Sequence, residues 1–425
     1  MNFSIFGIFI LVLLTGAPIA VALSITTLVF IIITTNIPIH VLAQQMFSSI
    51  NTSLLLGVLF FILAGNIMTS GKISERLIRI GSTILGTTRG GLAISSVLAC
   101  MFFAAISGSS PATVIAIGSI MIPALMKAGY GKHFSIGLLT SAGSMGILIP
   151  PSVPMIIYGL VMSVSVTKQF MAGFLPGFVL GGAFIIHAFI VSSKNGWRGE
   201  TRANWPEIKK ALKEGGWGLS LPFIILGGIY SGIFTPTEAS AVAVVAALVI
   251  EIFLHRSLKV SQIPRICKES TLASASLLII ISAAGAMSWY MGVEEVPSKV
   301  AGWIGSAIGR DWLFLLLVNI FLLFLGCFMD LVSAMLILGP IFLPLLEKFN
   351  IDPLHFGIIM IINIEIGYLT PPFGINLFVS CGILKESLTE VAKGVWPFII
   401  LMFAVLMIIT YVPTISTLLP YLLLK

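Results

Sequence analysis

Two proline pairs, Pro150-Pro151 and Pro371-Pro372, interrupt long apolar stretches at positions 221 residues apart. The first lies in Met145-Gly146-Ile147-Leu148-Ile149-Pro150-Pro151-Ser152-Val153-Pro154, the second in Ile366-Gly367-Tyr368-Leu369-Thr370-Pro371-Pro372-Phe373-Gly374-Ile375-Asn376. Proline lacks an N–H donor and its ring crowds the preceding turn, so each pair must break its helix. Inside a bilayer, freed backbone groups survive only where protein or a watery cavity satisfies them. Matching breaks in two halves of one chain point to a transport site.

The bilayer enters the argument through composition. Only 9% of the 425 residues are charged and 58% are hydrophobic, with a mean hydropathy of +1.11. Apolar stretches of roughly 17–25 residues recur along nearly the whole length, which reads as an all-α polytopic membrane protein. The net charge of +7 sits in short loops and fits a positive-inside topology rather than a nucleic-acid surface. The N-terminal stretch has no charged leader region or small-residue cleavage site, and we expect it to be retained. Cys100, Cys267, Cys327 and Cys381 are far apart, without metal-ligand spacing, and read as packing residues.

The offset of 221 also carries Gly7, Gly71, Gly81, Gly118, Pro123, Gly146, Gly173 and Pro176 onto residues of the same type. Composition alone would give about two or three such coincidences, so the chain reads as a repeat, 1–191 and 218–412. Each half contains a divided stretch (4–34, broken at Thr15–Pro18; 218–254, broken at Phe234–Glu238) and one span (50–70; 271–291). A connecting arm follows (72–89; 292–311), then a pair of helical runs (91–126; 312–346), a broken span (134–166; 356–384) and a last span (170–191; 391–412).

Loop charge sets the topology. The linker 192–217 (Lys194, Arg198, Arg202, Lys209, Lys210, Lys213) is expected to be cytoplasmic, as are the basic arm 72–89 and the loop 127–133. The segment 91–126 then enters and leaves on one side, as a re-entrant hairpin tipped by Ser107–Pro111. Its second-half counterparts are not basic (Glu294, Glu295, Lys299, Arg310 and Asp311, then Glu347, Lys348 and Asp352) and belong on the other face, whereas loop 255–268 is basic. Five spans plus one hairpin per half invert the second copy and leave both termini outside the cytoplasm.

Inverted repeats, opposed hairpins and broken helices are the parts of an alternating-access transporter. The tip Ser107-Gly108-Ser109-Ser110-Pro111 is hydroxyl-rich, although small residues also serve close helix packing. Asp330, at the second tip, is either a cation partner or a helix cap. Asn363 and Glu365 either face the cavity or tie unwound backbone together. Asn376 is the side chain favoured for substrate contact. Thr235-Pro236-Thr237-Glu238 matches a structural capping box, and His187 reads as a packed residue. No phosphate-binding loop, HExxH or GxSxG motif occurs, so the chain reads as neither an ATPase nor an enzyme.

Several stretches resemble the large membrane subunit of tripartite ATP-independent periplasmic (TRAP) transporters, the DctM type. They are Gly16-Ala17-Pro18, Phe102–Thr113, Gly146–Ser152, Ala172–Gly177, Gly232-Ile233-Phe234-Thr235-Pro236-Thr237-Glu238-Ala239 and Thr370–Gly374. The resemblance implies sodium-coupled uptake of small organic acids (C4-dicarboxylates, sialic acid or related carboxylates) across the bacterial inner membrane. It also implies two partners, a separate small four-helix subunit of the DctQ type and a periplasmic substrate-binding protein. By the same resemblance, an elevator-type transport domain (91–191 and 312–412) moves against a scaffold (1–90 and 218–311), leaving a tail at 413–425. Sodium is expected near Ser107, Ser110 and Gly146 and near Gly326, Asp330 and Thr370. Substrate is expected near Ser109, Pro151, Ser152, Gly374 and Asn376. A passive channel, or an ion-coupled carboxylate transporter working without a binding protein, is the alternative.

Overall fold

The structure, a computed structural model, describes residues 4–86, 88–198 and 204–424; Arg202 of the expected linker lies outside them. The described residues form helices and turns, with one isolated extended pairing between Arg89 and Arg198. Helices α1 (Ser4–Leu14) and α2 (Ile19–Thr34) part at Gly16, whose φ of +82° suits a residue without Cβ. Then come α3 (His40–Ile50), α4 (Ser53–Ser70) and the arm α5 (Ile73–Leu85). Helix α6 (Gly91–Ser107) leads to a sharp tip. From there α7 (Ser110–Thr113) runs through a π turn into α8 (Ser119–Lys127).

The first broken span is α9 (Lys132–Ala142), a 3-10 turn (Gly143–Ile147), the open stretch 148–152 and α10 (Val153–Val161). After α11 (Val166–Asn195) the second half holds α12 (Trp205–Tyr230), α13 (Pro236–Leu248, extended by a π turn to Leu254), α14 (Ile263–Val293) and the arm α15 (Val296–Ala307). The chain closes with α16 (Asp311–Gly326), α17 (Leu331–Lys348), α18 (Pro353–Gly367), α19 (Ile375–Leu384), α20 (Leu388–Tyr411) and α21 (Thr414–Leu423). Adding 221 to the bounds of the run Ser110–Lys127 gives 331–348, the bounds of α17. Adding it to Lys132, where α9 starts, gives Pro353, where α18 starts.

Seven helices among the described residues are at least 18 residues long and apolar enough to cross a bilayer. Several ends differ from the sequence reading. Helix α12 starts at Trp205 rather than 218, because Asn204 and Glu207 form a reciprocal capping box ahead of a polar, amphipathic turn. Apolar patterning detects only the later, membrane-buried part of such a helix. The stretch between the divided segment 4–34 and the span at 50–70 contains α3, and the tail contains α21.

Both hairpins are fastened at their bases. Gly90 N–H donates to the Trp197 carbonyl at 3.1 Å, and the Trp197 ring lies 4.8 Å from Tyr130 and 5.2 Å from Phe134. The beginning and end of the segment 91–127 therefore meet at one place, so it turns back on itself. At the second hairpin, Phe314 stacks on Phe349 at 4.3 Å and 10°, joining the start of α16 to the end of α17.

The halves interlock. Helix α4 packs on α13, α5 on α12, and α9 on α20. Glycine permits the last crossing: a Cβ on Gly394 would sit 2.6 Å from the His133 carbonyl. The arm α5 is anchored by the buried Glu251, whose carboxylate accepts the N–H groups of Lys72 at 3.1 Å and Ile73 at 2.9 Å, and also meets the Ser257 hydroxyl. Two orphan donors of the α5 N-terminus are satisfied from a helix of the other half.

Candidate functional site

Each hairpin tip abuts a helix break. At the first, α6 ends on Gly108 in the left-handed region (φ +58°), where a Cβ would lie 3.0 Å from the Pro151 carbonyl oxygen. Val153 N–H, at the start of α10, donates to the Gly108 carbonyl at 3.4 Å. Gly146 leaves room for the tip, since a Cβ there would meet Ser109 O at 2.5 Å and Thr113 Oγ1 at 2.6 Å. The tip is internally bonded: Thr113 Oγ1 donates to Ser109 O at 2.8 Å and lies 3.2 Å from Ser107 Oγ, and Ser109 caps α7. Pro151 and Ser152 are buried, and Ser152 Oγ has no hydrogen-bond partner among the described residues.

The second pair is built alike from different residues. Gly326 and Gly367 bring two backbones together, a Cβ on Gly326 falling 3.0 Å from Ile364 Cα. Asp330 caps α17: Oδ2 accepts Ser333 N–H at 2.9 Å, and Oδ1 meets the Ser333 hydroxyl. Of the two readings of Asp330, the cap is thus realised. Tyr368 accepts the next orphan donor, Leu331 N–H, at 2.8 Å. Thr370 turns its hydroxyl back to the Ile366 carbonyl at 2.8 Å, and Gly374 is buried against Tyr368 O. The stretch Pro371-Pro372-Phe373 is exposed, Phe373 by 61%, whereas the first break is buried throughout.

Asn376, on the first turn of α19, joins the two pairs: its Nδ2 donates to Ser110 Oγ at 2.6 Å. The family resemblance assigns these residues separate roles, Ser110 with ion and Asn376 with substrate, and the structure bonds them to each other. Sequence reading left Ser144 aside, though that buried hydroxyl lies with Ser110 beside the Glu365 carboxyl. Ser144 lies in the 3-10 turn Gly143–Ile147 that precedes the proline pair, a local clue to its place. Asn363 faces the other way, donating to Asn319 Oδ1 at 2.7 Å and Ile359 O at 2.8 Å. The residues expected at the site therefore gather in two tip–break pairs bridged by the bond from Asn376 to Ser110. Glu238 lies apart in a capping box with Thr235, and His187 packs edge-on to Phe398 at 4.9 Å. No cluster of three or more potential metal-binding His, Cys, Asp or Glu side chains occurs among the described residues.

Comparison with known proteins decides the family. The tripartite ATP-independent periplasmic transporter family, DctM component, matches residues 6–415. The chain belongs to that family. The C4-dicarboxylate TRAP transporter large permease protein DctM of Rhodobacter capsulatus is 41% identical over 433 residues, covering 99% of this chain and 98% of the relative. The isethionate TRAP transporter permease protein DctMQ of Oleidesulfovibrio alaskensis is 42% identical over 412 residues, covering 97% of this chain and 65% of that longer protein. The solved YdaH transporter of Alcanivorax borkumensis shares the fold at 13% identity, with a TM-score of 0.64 over 88% of this chain and 87% of its own. As a TRAP large permease this is a multi-pass membrane transport protein, not an enzyme.

Proposed function

We propose that this chain is the sodium-coupled permease of a binding-protein-dependent importer of small organic acids, working by an elevator cycle in the bacterial inner membrane. The observation that carries this reading is the meeting of both tip–break pairs through Asn376 and Ser110 at 2.6 Å. Starts of helices gather there, and such ends favour anionic groups, while unwound carbonyls suit a cation. In this reading one sodium is held near Ser107, Ser110 and Gly146, another near Gly326, Asp330 and Thr370. Ser109, Pro151, Ser152, Gly374 and Asn376 surround the acid.

The inverted repeat supports alternating access. It draws on the shared offset of helix bounds and on loop charge that is basic at the first hairpin base, with Lys127, Lys132 and Arg198, and balanced at the second, with Arg310, Asp311, Glu347 and Lys348. The buried first break and exposed second break fit a cycle in which access differs between faces. The termini would be periplasmic, and the partners a small four-helix subunit and a periplasmic binding protein. Relatives named for C4-dicarboxylates and isethionate suggest a small acid, carboxylic or sulfonic, and sialic acid belongs to the same chemical range.

Proteoliposomes holding this chain and the small subunit test the proposal. Accumulation of a labelled acid against its gradient should require both sodium and the binding protein. Equilibration without sodium would make it a channel, and accumulation without the binding protein would remove that partner.

A further inference from the structure

We propose that a cavity between α8, α9 and α19 binds the headgroup and upper chain of an anionic phospholipid. The cavity measures about 480 Å³. Met126, Ile136, Ile383 and Leu384 give it an apolar wall, and Lys127, Lys132 and Glu386 add charge to the lining. The charged residues come from three places: the last turn of α8, the first turn of α9 and the turn just past α19. Two ammonium groups thus stand against one carboxylate beside an apolar surface.

The helices set the depth of this cavity in the membrane. The apolar run Ser110–Lys127 ends on Lys127, and the run Leu388–Tyr411 begins two residues past Glu386. The charged lining therefore lies where hydrocarbon gives way to lipid phosphates. Beside Lys132, Trp197 packs 4.8 Å from Tyr130 and 5.2 Å from Phe134, an aromatic cluster of the kind that marks this level. The proposed orientation makes the leaflet cytoplasmic; the binding itself does not depend on that orientation.

Charge complementarity selects the occupant. Lys132 Nζ meets Glu386 Oε1 at 2.7 Å, whereas Lys127 has no carboxylate partner among the described residues. Glu390, the next acid along the chain, is taken by His133 at 2.9 Å and Lys393 at 2.8 Å. A zwitterionic headgroup brings another cation to a lining that is already basic, while an anionic one supplies the missing negative charge. Basic pockets between membrane helices at this level suit such headgroups. A free phosphate satisfies the lysines but leaves the apolar wall against water, so headgroup and chain together match the lining. A lipid there spans from α8, in the first hairpin, to α19, beyond the second break.

Native mass spectrometry of the full chain tests the site. The protein is released from vesicles of equal phosphatidylglycerol and phosphatidylcholine, and the retained lipid is counted. The native chain should keep phosphatidylglycerol several-fold over phosphatidylcholine; equal retention of the two overturns the proposal. Lys127→Gln with Lys132→Gln should lose that excess, whereas Lys209→Gln with Lys210→Gln, on the exposed start of α12, should keep it. If the first pair melts early, Lys127→Gln alone decides, since it breaks no ion pair. Glu386→Gln frees Lys132 and should raise retention. A merely structural ion pair predicts a fall instead, so retention that fails to rise in Glu386→Gln overturns the lipid site. Native retention in the Lys127 and Lys132 variants does the same. Inorganic phosphate and glycerol phosphate, added as competitors, should leave the lipid in place; displacement by either at millimolar concentration would make the ligand a soluble anion and overturn the proposal.

Discussion

The Asn376 amide donates to the Ser110 hydroxyl at 2.6 Å, linking side chains 266 residues apart and belonging to different halves of the chain. It joins the second helix break to the first hairpin tip. Removing either partner leaves the other buried without it, a cost of about 1–3 kcal/mol. Ser110→Ala and Asn376→Ala should each lower the melting temperature, and the double variant should be no worse than the poorer single one. Additive losses in that cycle would show that the residues act independently.

Gly146 separates packing from flexibility. An added methyl would meet Ser109 O and Thr113 Oγ1, both part of the tip, at 2.5 and 2.6 Å. Overpacking of this kind costs about 1–3 kcal/mol. Gly146→Ala should abolish most uptake, while Gly182→Ala, where a Cβ meets nothing within 4 Å, should leave it unchanged. Equal activity of the two variants would contradict a tight tip–break contact.

At Asp330, cap and charge can be tested apart. Asparagine caps helices about as well as aspartate, within a few tenths of a kcal/mol, but carries no charge. Asp330→Asn should melt close to the native protein while needing several-fold more sodium for half-maximal uptake. Unchanged sodium dependence would leave Asp330 with the cap alone.

Glu251 holds the arm α5 by two backbone bonds from Lys72 and Ile73. In Glu251→Ala each freed donor costs about 1–3 kcal/mol. Amide exchange at Lys72 and Ile73 should quicken markedly, with a lower melting temperature. Exchange as slow as in the native protein would mean that another group holds the arm.

Thr235 and Glu238 supply a milder comparison. Thr235→Ala removes a cap worth about 1 kcal/mol. It should lower the melting temperature by a few degrees and leave the sodium dependence of uptake unaltered; a changed sodium response would place this box in the ion path.

What the sequence revealed was whatever one residue's covalent chemistry dictates. Pro150-Pro151 and Pro371-Pro372 must open their helices wherever they fold, and the Thr235–Glu238 spacing closes a cap without outside help. The bond from Asn376 to Ser110 and the hold of Glu251 on α5 were not readable in this way. Their local sequences are ordinary, and the partners meet only after distant helices pack. The 218 start of α12 missed its true beginning for a related reason: Asn204–Glu207 signals a helix through polar capping, which apolar periodicity does not register.

The interlocking of the halves has a consequence for biosynthesis. Thr237 reaches the Ser53 carbonyl across 184 residues of chain, and Glu251 reaches Ile73 across 178. At about 5–20 residues per second, α4 and α5 wait on the order of 10–40 s after translation before their partners emerge. During that interval the α5 N-terminus keeps donors that Glu251 will later take. A nascent first half therefore stands in the membrane with the α4 face and the α5 donors uncovered until the second half is made.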